Sequence, residues 1–243
     1  MSNPSDKNFA INSSVNNRPK RLYLMRHAHT FDMSATGAVP GADVLLSENG
    51  HDQARRIAEY FEGRVKFDAL FCTAKERTRQ SIECVAEMQG LPVTVIPELS
   101  EVPFLFTPDT PVPVVLKTYA ALAEGIRTRN FDQVNINEFT TFADFHARLM
   151  TGLSKVLAAH GENILLMSHG GTNLLLLCHF LGVGFENLMA FFQHNCAINI
   201  IDCHPPEHFI VQTINFTPLD PLKSDVGLKL AIDPLPLQPR RTN

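Results

Sequence analysis

Short apolar runs alternate with helix-period segments along most of this chain, and that alternation restricts the fold more than any other feature. Arg21 to Met25 is a mostly apolar run of strand type. From Ser47 onward Ala54, Ile57, Ala58 and Phe61 recur at helical spacing until Gly63 breaks the pattern. Phe67 to Cys72 predicts a second strand, Lys75 to Met88 a second helix closing near Gly90, and Pro92 to Ile96 a third strand. Thr141 caps a long helix with Asp144 as its capping-box partner, and Phe142, Phe145, Leu149, Leu153 and Val156 form the apolar stripe before Gly161. Ile164 to Met167 predicts a buried strand, Gly170-Gly171 a turn, and Leu174 to Leu181 a buried helix. Ala197 to Ile201 and Phe209 to Ile214 predict two more strands joined through His204-Pro205-Pro206. Such alternation implies an α/β fold, a three-layer α/β/α sandwich with a mostly parallel central sheet.

The division into segments follows from composition. Residues 1–19 are rich in Asn, Ser and Pro and predict a disordered N-terminal arm; residues 20–215 form the α/β domain; residues 216–243 are a Pro-rich C-terminal tail. Within the domain, residues 102–140 predict an insertion with a helix through Tyr119 and Ile126, placed over the active site. The 243 residues suit one large domain that buries its core without disulfides or metals. The formal net charge of −4 gives no whole-molecule attraction to nucleic acid or to an anionic membrane. The five cysteines are odd in number and lack C-x-x-C spacing, and Met1 to Arg21 has no apolar core of a secretion signal, so a cytoplasmic protein with free thiols is expected. Ile164 to Phe185 is interrupted by Ser168 to Asn173, leaving no run long enough to span a bilayer. There is no P-loop and no G-x-G-x-x-G fingerprint.

In a sheet of this type ligands gather where strands end and helices begin. The first strand runs into Arg26-His27-Ala28-His29-Thr30, the second into Thr73 and Arg77, the third into Glu98 and Glu101, and the fourth into Ser168-His169-Gly170-Gly171. Two Arg, two or three His and a carboxylate thus converge at one edge, the face where α/β enzymes react, against the plainer reading of unrelated surface or satisfied histidines. A second reading treats His27-x-His29 with His169 as part of an amidohydrolase metal site; the adjacent arginines oppose it. Either carboxylate could instead cap a turn. His51, His146, His160, His204 and His208 are expected to face solvent, and Arg55, Arg56 and Arg79 to lie on solvated helix faces. Phe104, Leu105 and Phe106 suit a core or dimer contact.

Five segments resemble the histidine phosphatase superfamily, in the phosphoglycerate mutase-like branch (branch 1). Leu22-Tyr23-Leu24-Met25-Arg26-His27-Ala28-His29-Thr30 is similar to the family's L-x-L-x-R-H-G-x-T, and Leu46-Ser47-Glu48-Asn49-Gly50-His51-Asp52-Gln53-Ala54 to its L-T/S-x-x-G-x-x-Q-A helix start. Cys72 to Ser81 resembles S-S-x-x-x-R-A-x-Q-T, Leu99-Ser100-Glu101 resembles L-x-E, and Met167-Ser168-His169-Gly170-Gly171 resembles V-S-H-G-G. Ala28 replaces the usual Gly, Met33 stands where many members carry an Asn, leaving Asp32 or Ser34 to replace that contact, and Thr140-Thr141-Phe142 stands for G-E-S.

The resemblance implies a phosphatase that hydrolyses a small phosphomonoester through a phosphohistidine, with no cofactor and no metal. His27 would be the nucleophile, Arg26 and Arg77 the phosphate clamp, His169 a transition-state donor and Glu101 the general acid with a raised pKa, Glu98 being its competitor. Thr30 and Gly170 would add substrate contacts, and the backbone N–H groups of Ala28 and Gly170 would face the phosphoryl oxygens. Cationic neighbours would keep His27 neutral. A mutase-type phosphotransferase and a non-catalytic phosphate-ligand sensor remain alternatives on the same fold. The expected partner is a small phosphorylated metabolite with one phosphate, since only Lys117, Arg127 and Arg129 add cations to the insertion. The apolar insertion and the tail are candidate homodimer surfaces.

Overall fold

Seven residues, Lys20–Arg26, form strand β1 at the centre of a six-stranded sheet in the computed structural model. The structure describes residues 19–30, 44–101, 134–137, 140–204 and 208–223, with single positions between 113 and 128. After β1 come α1 (Glu48–Phe61), β2 (Ala69–Cys72), α2 (Glu76–Gln89) and β3 (Val93–Val95). A short 3-10 turn over Pro97–Leu99 follows; β4 (Asn135–Asn137) and β5 (Thr140–Thr141) make a separate small ribbon before α3 (Phe142–Leu157). The chain then forms β6 (Asn163–Ser168), α4 (Gly170–Leu181), β7 (Ile198–His204) and β8 (His208–Phe216).

The sheet order is β3-β2-β6-β1-β7-β8. Pairings β3 with β2, β2 with β6 and β6 with β1 are parallel, whereas β7 and β8 close the other side antiparallel. Period-two alternation in the strands serves two cores. Leu22 and Leu24 of β1, with Ile164 and Leu166 of β6, pack under α3 and α4; Tyr23 and Met25, with Leu165 and Met167, pack under α1 and α2. Helices therefore cover both faces and the three layers stand as expected. Tyr23, Phe61 and Phe67 meet edge to face at 5.0 to 6.1 Å between ring centres, locking α1 onto its side of the sheet.

Local signals set the helix ends. Ser47 caps α1 by accepting from Gly50 N, and Thr141 and Asp144 form the reciprocal capping box of α3. Gly90 and Gly182 end α2 and α4 in the left-handed region, where a glycine is free of strain. Gly170-Gly171, expected as a turn, are instead the first two residues of α4, with His169 as the capping position. Their place in the first turn costs little, and it brings the helix backbone against Glu101. The ribbon β4-β5 and the 3-10 turns at Pro97–Leu99 and Phe185–Ala190 carried no usable periodicity.

The described positions from Pro113 to Thr128 are helical, in the region expected to hold the insertion's helix, and Lys117 is exposed. Tyr119, Ile126, Arg127, Arg129, Met33, Asp32, Ser34 and the Phe104-Leu105-Phe106 run lie outside the described residues. All five cysteines are free thiols. Among the described residues no helix is long and apolar enough to cross a membrane.

Candidate active site

Adjacent parallel strands bring the two histidines together. Arg26 of β1 is in register with Ser168 of β6, so the residues that follow, His27 and His169, leave the sheet side by side with ring centres 5.5 Å apart. On the far side of β6, Cys72 of β2 is in register with Met167, which puts Thr73 against His169. Arg77 sits in the first turn of α2 and is buried. The structure thus gathers Arg26, His27, Arg77 and His169 at one sheet edge, as the strand-end rule predicts.

His27 is held through both its backbone and its ring. Its backbone N–H donates to Ser168 O at 2.9 Å, Asn195 Nδ2 donates to its carbonyl at 3.0 Å, and its ring Nδ1 lies 2.7 Å from Ala28 O. A carbonyl only accepts, so Nδ1 carries the proton and Nε2 keeps its lone pair. Burial holds the imidazole pKa well below its ordinary value, and Arg26 and Arg77 lower it further. The sequence reading credited the cations; burial is the larger cause.

Arg26 donates Nη1 to Gln193 O, while its buried Nε has no hydrogen-bond partner among the described residues. Burial and the repulsion of Arg77 oppose its charge, and Glu101 favours it. A Cβ added at Gly170 would lie 3.5 Å from that Nε, so the glycine stands beside the guanidinium. Its expected companion, the N–H of Ala28, does not face a ligand. It donates to Ser81 Oγ at 2.8 Å, and Ser81 in turn donates to Arg77 O, which ties the loop after β1 to the first turns of α2.

Glu101 accepts at both carboxylate oxygens from the start of α4: Gly171 N at 3.1 Å, Thr172 N at 3.0 Å and Thr172 Oγ1 at 3.3 Å. It is therefore a helix-capping acceptor in this structure, in reach of the charge of Arg26. Glu98, the rival, points elsewhere and is paired with Lys155 of α3, which lowers its pKa. Thr30 forms an isolated antiparallel bridge with Leu46, and no described contact joins its hydroxyl to His27. His29 places its Nδ1 2.7 Å from Ser47 Oγ, supporting the start of α1, and among the described residues no three His, Cys, Asp or Glu side chains come together to hold an ion. His146, expected in solvent, packs against Phe185 with ring centres 4.9 Å apart, and burial lowers its pKa.

Several supporting residues escaped the sequence reading. Gln193 and Asn199 exchange side-chain amide bonds at 2.8 and 3.0 Å, and Asn199 also donates to Leu24 O, which fixes the backbone that receives Arg26. Arg148 of α3 donates to Ser100 O at 2.9 Å and to Glu101 O at 3.4 Å, and lies over the Phe145 ring. Gly152 of α3 admits the same segment: a Cβ there would come within 2.7 Å of Leu99 Cγ. The one available hint was an Asn inside the apolar run from Ala197 to Ile201, a polar residue where a buried strand was expected.

The chain matches the histidine phosphatase superfamily (branch 1) over residues 22–217. It is 29% identical over 182 residues to the adenosylcobalamin/alpha-ribazole phosphatase of Escherichia coli, covering 70% of this chain and 84% of that protein. It is 27% identical over 188 residues to a Hydrogenobacter thermophilus protein provisionally named phosphoserine phosphatase 2, covering 75% and 89%. Among solved structures, the alpha-ribazole phosphatase of Shigella flexneri superposes with a TM-score of 0.63 at 25% identity, covering 80% of this chain and 96% of that one.

Proposed function

The chain belongs to branch 1 of the histidine phosphatase superfamily and is a phosphoric monoester hydrolase, and on that premise we propose that it releases phosphate from a small monoester by way of phospho-His27. The observation that carries this reading is the state of His27, a buried neutral imidazole whose Nδ1–H is bound to Ala28 O, whose Nε2 is left as a lone pair, and which feels the charges of Arg26 and Arg77.

In the first step Nε2 attacks phosphorus and the ester P–O bond breaks. Arg26 and Arg77 hold the equatorial oxygens, where the charge of a loose transition state lies. The leaving alkoxide takes a proton from Glu101, the carboxyl held at the adjacent end of α4. In the second step water attacks phosphorus, returns a proton to Glu101, and the P–N bond breaks to regenerate His27. Two fixed guanidinium groups supply the positive charge that this transfer requires, so turnover is expected to persist in a chelator.

The substrate proposed is a single phosphoryl group on a modest, partly apolar body. The names of the relatives, a phosphoserine phosphatase and alpha-ribazole phosphatases, support a small monoester and do not choose between them. Rapid quench with a radiolabelled phosphomonoester tests the mechanism. Acid-labile, base-stable label on the protein, absent from His27→Ala, is the expected result. Turnover of His27→Ala at the normal rate would overturn it. A panel of phosphorylated metabolites then ranks substrates by kcat/KM, and net transfer of phosphate between metabolites would contradict the hydrolase assignment.

A further inference from the structure

The two ring nitrogens of His169 have different surroundings. Nε2 lies 2.8 Å from Thr73 Oγ1, whereas Nδ1 is buried and has no hydrogen-bond partner among the described residues. The neighbouring hydroxyls decide which nitrogen carries the proton. Thr78 Oγ1 lies 2.7 Å from Lys75 O and 3.2 Å from Thr73 O, and carbonyls only accept, so the single hydroxyl proton of Thr78 is spent there. Thr73 Oγ1, 2.9 Å from Thr78 Oγ1, must then donate to Thr78. With its own proton used, Thr73 can meet His169 only as an acceptor. Nε2 is therefore the N–H, and the neutral ring keeps a lone pair at Nδ1.

This chain of donors points to Thr73 and Thr78 as a positioning pair that fixes the proton of His169 on Nε2, so that His169 meets a bound phosphoryl group only after taking a second proton on Nδ1. The inference rests on the phosphatase reading for its ligand, though the tautomer is a property of the free protein. A lone pair cannot donate to a phosphoryl oxygen. One proton from solvent bonds to Nδ1, the ring becomes an imidazolium, Nε2–H stays on Thr73, and Nδ1–H is offered to the anion.

The surrounding charges account for why this proton waits for the ligand. His169 is faced by Arg26 and His27 from β1, by Lys75 and Arg77 from the β2-α2 connection and α2, and α4, which it caps, carries Glu101 on its first turn. Burial is the largest cause of a pKa well below the ordinary value, and Arg77, His27 and Arg26 add to it. A dianion offsets those positive neighbours, so anion and proton enter together. Thr73 and Thr78 are buried and need touch no substrate to exert this control.

Histidine-selective 15N NMR on the full chain tests the inference, with inorganic sulfate as a dianion that does not titrate near neutral pH. The free protein is expected to show His169 protonated at Nε2 alone, and saturating sulfate is expected to protonate both nitrogens. A free protein protonated at Nδ1, or a ring still neutral with sulfate bound, would overturn it. Thr78→Val frees the Thr73 hydroxyl to donate toward His169 and should invert the tautomer. Thr73→Val should lose the Nε2 preference and lower kcat/KM about 10- to 100-fold, while Thr73→Ser restores both. If either valine variant fails to fold, the other and the Ser variant decide; an Nε2 proton unmoved in a folded valine variant contradicts the relay. A protein with these tautomers that releases phosphate from no ester contradicts the proposed function and supports the relay.

Discussion

Nδ1 of His27 lies 2.7 Å from the carbonyl oxygen of Ala28, the next residue in the chain, so the tautomer that frees Nε2 is set by the backbone of the same loop. His169, its neighbour across the β1-β6 pairing, receives its own tautomer from Thr73, just after β2, and Thr78 of α2. Both rings are buried and their pKa values are held below the ordinary histidine value.

That burial makes stability depend on pH with a definite sign. The unfolded chain takes up a proton at each of these histidines as pH falls through about 6.5, whereas the native rings stay neutral. Below that pH the unfolded state binds more protons, so the contribution is complete above it and is lost as pH falls. Each ring should cost up to about 1.4 kcal/mol per pH unit between about pH 6 and the native pKa. Urea unfolding in sulfate- and phosphate-free buffer, compared with His169→Gln, checks this; an equal slope for the variant would contradict it.

Glu101→Gln should reveal the proton donor through the leaving group. For an alkyl phosphate, whose alkoxide needs a proton, kcat is expected to fall about 10²- to 10⁴-fold. For an activated aryl phosphate the loss should be far smaller. Glu98→Gln, which disturbs the contact with Lys155, should leave both substrates within about twofold. Equal losses on both substrates for Glu101→Gln would remove it as the acid.

Arg148 and Lys155 both anchor the segment before Glu101, and they should differ. Arg148→Met strips donors from Ser100 O and Glu101 O and is expected to lower kcat about tenfold with stability reduced by about 1–3 kcal/mol. Lys155→Met removes an exposed ion pair to Glu98 and should leave stability and kcat close to those of the parent. Thermal unfolding and steady-state kinetics on both variants make the comparison, and matching effects would refute the distinction.

Ser81→Ala should be costly for a small deletion. It leaves the fully buried N–H of Ala28 without its acceptor, a loss of about 1–3 kcal/mol. Because Ser81 links that loop to Arg77, kcat/KM should fall as well. Ser81→Thr, which keeps the hydroxyl, is expected to retain more activity than Ser81→Ala; the reverse order would count against the tie.

Much of the frame was readable from local pattern. The apolar runs at Arg21 to Met25 and Ile164 to Met167, and the caps at Ser47 and Thr141, depend on residues close in sequence. The start of α4 at Gly170 was hidden because glycine is a weak helix former, and only the packing of Glu101 against those N–H groups shows why the helix begins there. His146 was misread because its partner, Phe185, lies in another element. Ala28 was misassigned because Ser81, 53 residues away, consumes its N–H.

By itself the sequence determined which residue types leave the strand ends, Arg26-His27 and Ser168-His169 among them, since the hydrophobic period acts over a few residues. Only the tertiary structure decided which of them meet and in what protonation state. The register of β1 on β6 sets His27 beside His169, and the register of β2 on β6 carries Thr73 to the latter. Proton placement on a buried ring depends on donors and acceptors from distant parts of the chain and on the water they exclude, neither of which is written in local sequence.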